Sequence, residues 1–242
     1  MTATRRFLAL SAGIALAAAL AGCASGASTA GSTSSSPSSS PSASAEELEF
    51  TAAWLNGGTT IGLVTNGSST CVPTAESVEL LDDGALAIEL SDGEADKPCT
   101  MDLVPRVTLV EVPADVDPSQ DLELQVSYGE ASGDEDIEGV TAGEAPDEYG
   151  PSAGWTGEDD MFVILTWGSS TCVPLVETAE PTGPTQVTVT FATPPADQAC
   201  TMDMVPRGTL AKVTGLEGEA DIDLVLTGAE FSGASVRILG EN

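Results

Sequence analysis

The chain has 242 residues, with seven Lys and Arg against 38 Asp and Glu, a formal charge of −31, and no His. That charge repels phosphate backbones and anionic headgroups, which sets nucleic acid aside as a partner. Without His a Ser-His-Asp or Cys-His nucleophile cannot be assembled and the commonest metal ligand is missing, so hydrolysis by paired carboxylates is the catalytic alternative left open.

Arg5 and Arg6 precede an uncharged run of apolar and small residues from Phe7 to Leu20. The run is too short to span a bilayer but fits the core of an export signal, so residues 1–22 read as a signal peptide. The closing Leu20-Ala21-Gly22-Cys23 resembles the lipobox of bacterial lipoproteins. The resemblance implies cleavage before Cys23, a thioether-linked lipid on it, and a protein held by that lipid on the extracytoplasmic face of the cell membrane. Five cations then face 38 anions, a formal charge of −33, which suits a soluble, unassociated surface.

Residues 23–47 hold the lipidated cysteine and a tether of Ser, Pro, Ala, Thr and Gly, uncharged from 24 to 45. Such a composition cannot bury a core. As a flexible chain the tether reaches about 25 Å.

Beyond residue 48 the sequence repeats at an offset of 101. Trp54 falls on Trp155, and Gly67-Ser68-Ser69-Thr70-Cys71-Val72-Pro73 falls on Gly168-Ser169-Ser170-Thr171-Cys172-Val173-Pro174. Cys99-Thr100-Met101-Asp102 falls on Cys200-Thr201-Met202-Asp203, and Val104-Pro105-Arg106 on Val205-Pro206-Arg207. Of the 61 positions from 53 to 113, 23 are identical without a gap, which marks a tandem duplication. Two domains follow, 48–147 and 148–242. With the lipobox, the repeated Gly-Ser-Ser-Thr-Cys resembles lipoproteins of high-GC Gram-positive bacteria, a likeness that implies no activity.

The element signals are all strand-like. Thr60–Thr65 and Met161–Trp167 are short apolar runs, while Leu86–Leu90, Thr108–Val112, Leu122–Val126 and Gln186–Phe191 alternate. Gly, Pro, Asp and Ser clusters separate them. The expected fold is all-β: two tandem immunoglobulin-like β-sandwich domains, each with one disulfide. Cys71, Cys99, Cys172 and Cys200 form an even set in an exported chain. The separation of 28 recurs in both repeats, so Cys71 is expected to join Cys99 and Cys172 to join Cys200. Closing such a loop contributes about 3.5 kcal/mol in the chain-entropy model.

Several residues are candidates for more than packing. Ser68-Ser69 and Ser169-Ser170 read as turn residues, since neither His nor Lys stands by to activate a hydroxyl. Arg106 and Arg207 are expected to enter a strand and to pair with Asp102 or Glu76 and with Asp203 or Glu177; the sharper alternative is an exposed bait for a trypsin-like protease. Trp54 and Trp155 should pack on the cores, while Trp167, matched by Asn66, belongs to one repeat only. Asp134, Asp136 and Glu138 with Gly139 resemble the first half of a calcium loop and are the one candidate for a metal, although Ala145 stands at the twelfth position. No other cofactor is expected. The functional expectation is a non-catalytic binding or structural module of the cell envelope whose partner is an envelope protein or glycan; a carboxylate-dependent envelope hydrolase is the alternative.

Substituting Cys23→Ser should move the protein from the membrane fraction to the soluble fraction. Membrane-bound protein whose Cys23 is unmodified by mass spectrometry would reject the lipid anchor.

Overall fold

The computed structural model describes residues 46–93, 98–141, 146–158, 160–216 and 221–241. The signal segment, Cys23, the tether through residue 45 and Ala145 lie outside the described residues. The protein is all-β: the described residues hold fifteen strands, a short 3₁₀ turn at Asn56–Gly58 and no α-helix.

The first repeat contains β1 (Glu46–Glu47), β2 (Phe50–Leu55), β3 (Thr60–Gly67), β4 (Thr74–Leu80), β5 (Leu86–Ser91), β6 (Val104–Glu111), β7 (Leu122–Tyr128) and β8 (Ala131–Ile137). The second contains β9 (Ser152–Trp155), β10 (Met161–Gly168), β11 (Val176–Gly183), β12 (Gln186–Phe191), β13 (Val205–Lys212), β14 (Asp223–Gly228) and β15 (Phe231–Leu239). Each repeat folds as a three-stranded sheet, β2-β3-β6 or β9-β10-β13, and a four-stranded set, β8-β7-β5-β4 or β15-β14-β12-β11. In the first repeat β1 extends the larger sheet by pairing with β8; in the second, β15 pairs with β9 and joins the two sheets.

The alternating segments became one-sided strands. Leu86, Ile88 and Leu90 point inward, as do Leu122, Leu124 and Val126, and Val187, Val189 and Phe191. With Trp54, Ile61 and Leu63 in the first repeat, and Trp155, Phe162 and Ile164 in the second, they fill one core per repeat. Strand pairing corrects the immunoglobulin expectation. The β5–β7 and β12–β14 pairs are parallel, whereas immunoglobulin sheets are antiparallel. The loop from β5 through β6 to β7 crosses to the other sheet and back, so β7 returns in the direction of β5.

The disulfides join Cys71 to Cys99 and Cys172 to Cys200, each with Cα atoms 5.5 Å apart. Each ties the loop after β3 or β10 to the loop before β6 or β13.

The described residues of both repeats lie in one compact unit. A third core lies between them, built from Ala53, Leu55, Val64, Val163 and Leu165 with half-buried Val107, Leu109 and Leu210. This explains the unbroken apolar runs. Strand β3 is buried from Ile61 to Thr65 because Ile61 and Leu63 face its own core and Val64 faces the other repeat. Burial of each of Leu55, Val64, Val163 and Leu165 contributes about 1.5–3 kcal/mol, a sum comparable with the stability of a small domain.

Three positions in this interface meet their own counterparts at the 101-residue offset. A Cβ on Gly154 would lie 3.4 Å from Ala53 Cβ and 2.0 Å from the Trp54 carbonyl oxygen; one on Gly62 would lie 2.9 Å from Val163, and one on Gly208 2.5 Å from Val107. Contact between equivalent residues marks a two-fold, isologous interface. At each position one repeat supplies Gly and the other Ala or Val, so the small residue of one sheet receives the larger side chain of the opposite sheet.

This pairing predicts a specific coupling. Gly208→Val should cost about 1–3 kcal/mol by overpacking. Adding Val107→Gly should return part of that loss, since the two sites share one space. Strictly additive losses in a chemical-denaturation cycle would reject the complementary pairing.

Candidate functional site

The two disulfide-tied loops of each repeat are held by one hydrogen-bonded cluster. The Ser69 backbone N–H donates to Asp102 Oδ1 at 3.1 Å, the Thr100 hydroxyl donates to the same oxygen, and the Thr100 N–H donates to Thr70 Oγ1 at 3.0 Å. The second repeat copies it: Ser170 N–H to Asp203 Oδ1 at 3.1 Å, the Thr201 hydroxyl to Asp203, and Thr201 N–H to Thr171 Oγ1 at 3.1 Å. These bonds favour the charged carboxylate. The Ser69 bonds, then that from Thr100, lower Asp102 to about 2, and Ser170 and Thr201 do the same for Asp203. Since the folded-state pKa lies below the usual 3.8, the loops gain stability above that value and lose it as pH falls toward 2. A carboxylate this acidic is a poor base for the neighbouring hydroxyls.

Asp102 and Asp203 therefore serve the loops and not the arginines, which corrects the expected ion pairs. Arg106 and Arg207 are buried within β6 and β13. Arg207 Nη1 donates to the Cys172 carbonyl at 2.9 Å and Nη2 to the Trp167 carbonyl at 2.9 Å and to Glu230 at 2.5 Å. Arg106 Nη1 donates to the Cys71 carbonyl, and the guanidinium lies 5.7 Å from the Tyr128 ring centre. Among the described residues the ion pairs are Arg207–Glu230 and Arg237–Asp221; Glu76 and Glu177 take no part. The repeats differ because Tyr128 occupies the place of Gly228, as their pairing opposite Leu90 and Phe191 shows. The aromatic ring covers Arg106, whereas the open glycine lets Glu230 reach Arg207. Burial pushes the Tyr128 phenol up, and its hydroxyl donates to Asp92 at 2.6 Å.

The repeated glycines have a second use beside the turn. A Cβ on Gly67 would meet the Arg106 guanidinium at 2.4 Å, and one on Gly168 that of Arg207 at 2.7 Å. Gly and Arg recur together because each guanidinium lies on a bare backbone. Pro105 and Pro206 stand in β6 and β13, the terminal strands of their sheets, where proline is tolerated.

Between the repeats lies a groove of about 940 Å³, within the range of ligand sites. Its walls are Val104–Leu109 and Val205–Leu210, with Ser69, Val72–Ala75, Ser170 and Val173–Val176 completing them. Every lining residue has its counterpart at the 101-residue offset on the opposite wall, so the groove lies on the two-fold axis of the repeats. Val72, Met101, Leu103, Val173, Leu175, Met202 and Met204 are exposed, and they are seven of the eight large exposed hydrophobic residues among the described residues. All lie in the groove wall or in the disulfide loops leading to it. Met101 and Met202 are fully exposed.

The other sequence candidates lie elsewhere. Trp54 and Trp155 are buried, Trp54 donating from Nε1 to the Glu138 carbonyl at 3.0 Å. Trp167 packs edge-on against exposed Tyr149 with ring centres 5.3 Å apart. Asp134 and Asp136 belong to β8, an extended strand and not a loop. Alternate strand residues stand about 6.5 Å apart along the chain, and Asp134 borders a separate cleft from the one that Asp136 and Glu138 line. Among the described residues no three potential ligands converge on a cation position, which corrects the calcium reading.

Comparison with known proteins finds no matching family model, no matching curated protein and no matching solved structure.

Arg207→Ala removes charge-assisted bonds to the buried Cys172 carbonyl and the half-buried Trp167 carbonyl, each worth about 1.5–3 kcal/mol. Glu230 is half exposed, so Glu230→Gln should cost only about 0–1 kcal/mol. Equal losses of stability for the two variants would show that the ion pair, and not the carbonyl anchoring, holds the strand.

Proposed function

We propose that this chain is an extracytoplasmic lipoprotein, anchored through Cys23, that acts as a non-catalytic binding module of the cell envelope. The carrying observation is the apolar groove between the repeats, walled equally by both and bordered by exposed Val72, Leu175 and the methionine loops. Each repeat is an all-β unit with its own strand pairing, a parallel pair inside each larger strand set. The disulfides and the Asp-Ser-Thr clusters tie the two loops of each repeat together, which lowers the ordering cost of binding at this surface.

Val72→Gln with Leu175→Gln changes one exposed residue on each wall and should leave thermal unfolding unchanged. The lipid-free chain from residue 24 onward, immobilised and exposed to envelope extract, should retain a component that this variant does not. Retention by both proteins alike would place the binding surface elsewhere.

A further inference from the structure

Resting on the groove as the binding surface, we propose that its occupant is an extended protein segment with apolar side chains at its centre and cationic residues at both ends. Three features of the groove converge on this chemistry.

The first is its shape. Each wall presents six residues of a strand, 104–109 or 205–210, about 20 Å of extended chain. Both strands are terminal in their sheets, so one row of backbone N–H and C=O groups in each is left outside the ladder. An extended segment takes up such groups by strand addition while its side chains enter apolar pockets.

The second is its lining. Val107, Leu109 and Leu210 form the apolar floor, continuous with the third core, and Val72, Val173 and Leu175 form exposed apolar walls. The methionines in the adjoining loops add flexible, polarizable contact surface.

The third is its charge. The cations in the lining, Arg106 and Arg207, are buried and turned toward the Cys71 and Cys172 carbonyls. Exposed carboxylates stand at the rim instead: Asp102 holds Ser69 and Asp203 holds Ser170, and both serines line the groove. These carboxylates are related by the two-fold axis, so one stands on each side of it. The chain as a whole carries −31. Its field draws in cationic segments and turns away acidic peptides and anionic bilayers. A segment lying across the axis meets a carboxylate on either side, which favours Lys or Arg at both ends over one end.

The test is fluorescence anisotropy with the lipid-free chain from residue 24 onward and the labelled peptide Lys-Lys-Val-Leu-Val-Leu-Lys-Lys. The peptide should bind, more weakly by about tenfold on passing from low to physiological salt, and should outbind the same peptide with Lys at one end only. A Glu-flanked analogue should not bind. Asp102→Asn with Asp203→Asn should weaken binding while Asn still accepts the Ser69 and Ser170 bonds, and thermal unfolding at neutral pH verifies that the loops persist. Val72→Gln with Leu175→Gln should abolish binding. Equal binding of the Lys- and Glu-flanked peptides, insensitivity to salt, or no binding of the Lys peptide would overturn the proposed chemistry. So would concentration-dependent self-association or uptake by anionic phospholipid vesicles in place of peptide binding. Groove-dependent retention of an envelope component together with a failed Lys peptide rejects the cationic partner alone; failure of both rejects the groove.

Discussion

Everything between the two repeats is set by how closely β2-β3-β6 packs against β9-β10-β13. Sheets that pack face to face need about 10 Å between them when medium-sized side chains intervene. Here Gly62, Gly154 and Gly208 bring the backbones closer, and Val163, Ala53 and Val107 fill the space they leave. A symmetric pair of identical sheets cannot do this. Equivalent residues would meet as two valines, which clash, or as two glycines, which leave a void. A single chain carrying two diverged copies can place the small residue on one side and the large residue on the other. Each repeat is thereby fitted to its companion more closely than to another copy of itself.

The groove follows from that packing. The sheets approach along the line from Ala53 and Gly154 through Gly62 and Val163 to Val107 and Gly208, and the terminal strands β6 and β13 lie where this line reaches the surface. Each wall is fixed from behind by the guanidinium of Arg106 or Arg207, which reaches past a repeated glycine to the carbonyl of a disulfide cysteine. The cross-link, the arginine and the carboxylate cluster act on the same pair of loops. Their joint effect is to hold apolar tips in water, an arrangement that stability alone does not require.

The two repeats solve one problem differently. A buried guanidinium needs compensation for the water it loses. Arg207 receives it from Glu230 and two carbonyls, and Arg106 from the Cys71 carbonyl and the face of Tyr128. The carboxylate brings charge but needs an open hairpin; the ring excludes water and covers the cation. The hairpin residue, Gly228 or Tyr128, decides between them.

Strand class, disulfide pairing and the burial of both tryptophans were legible in the residue pattern alone. Alternation of apolar residues reports which side of a strand leaves water, as in Gln186–Phe191, whose bounds match β12. A cysteine separation repeated in two copies permits only one common connectivity within repeats. The unbroken apolar runs of β3 and β10 are buried on both faces, one against the repeat's own core and the other against the companion repeat. Tertiary structure decided the rest. The partners of the arginines come from the opposite end of each repeat or from backbone carbonyls, and no spacing records them. The parallel pairing of β5 with β7 depends on how the chain crosses between sheets, which side-chain periodicity leaves open. The acidic run at Asp134–Glu138 has the spacing of the first half of a calcium loop, yet pairing of β8 with β7 makes it an extended strand. The groove is likewise a product of tertiary structure: its walls come from segments 101 residues apart in the chain, and only the two-fold packing of the repeats brings them face to face.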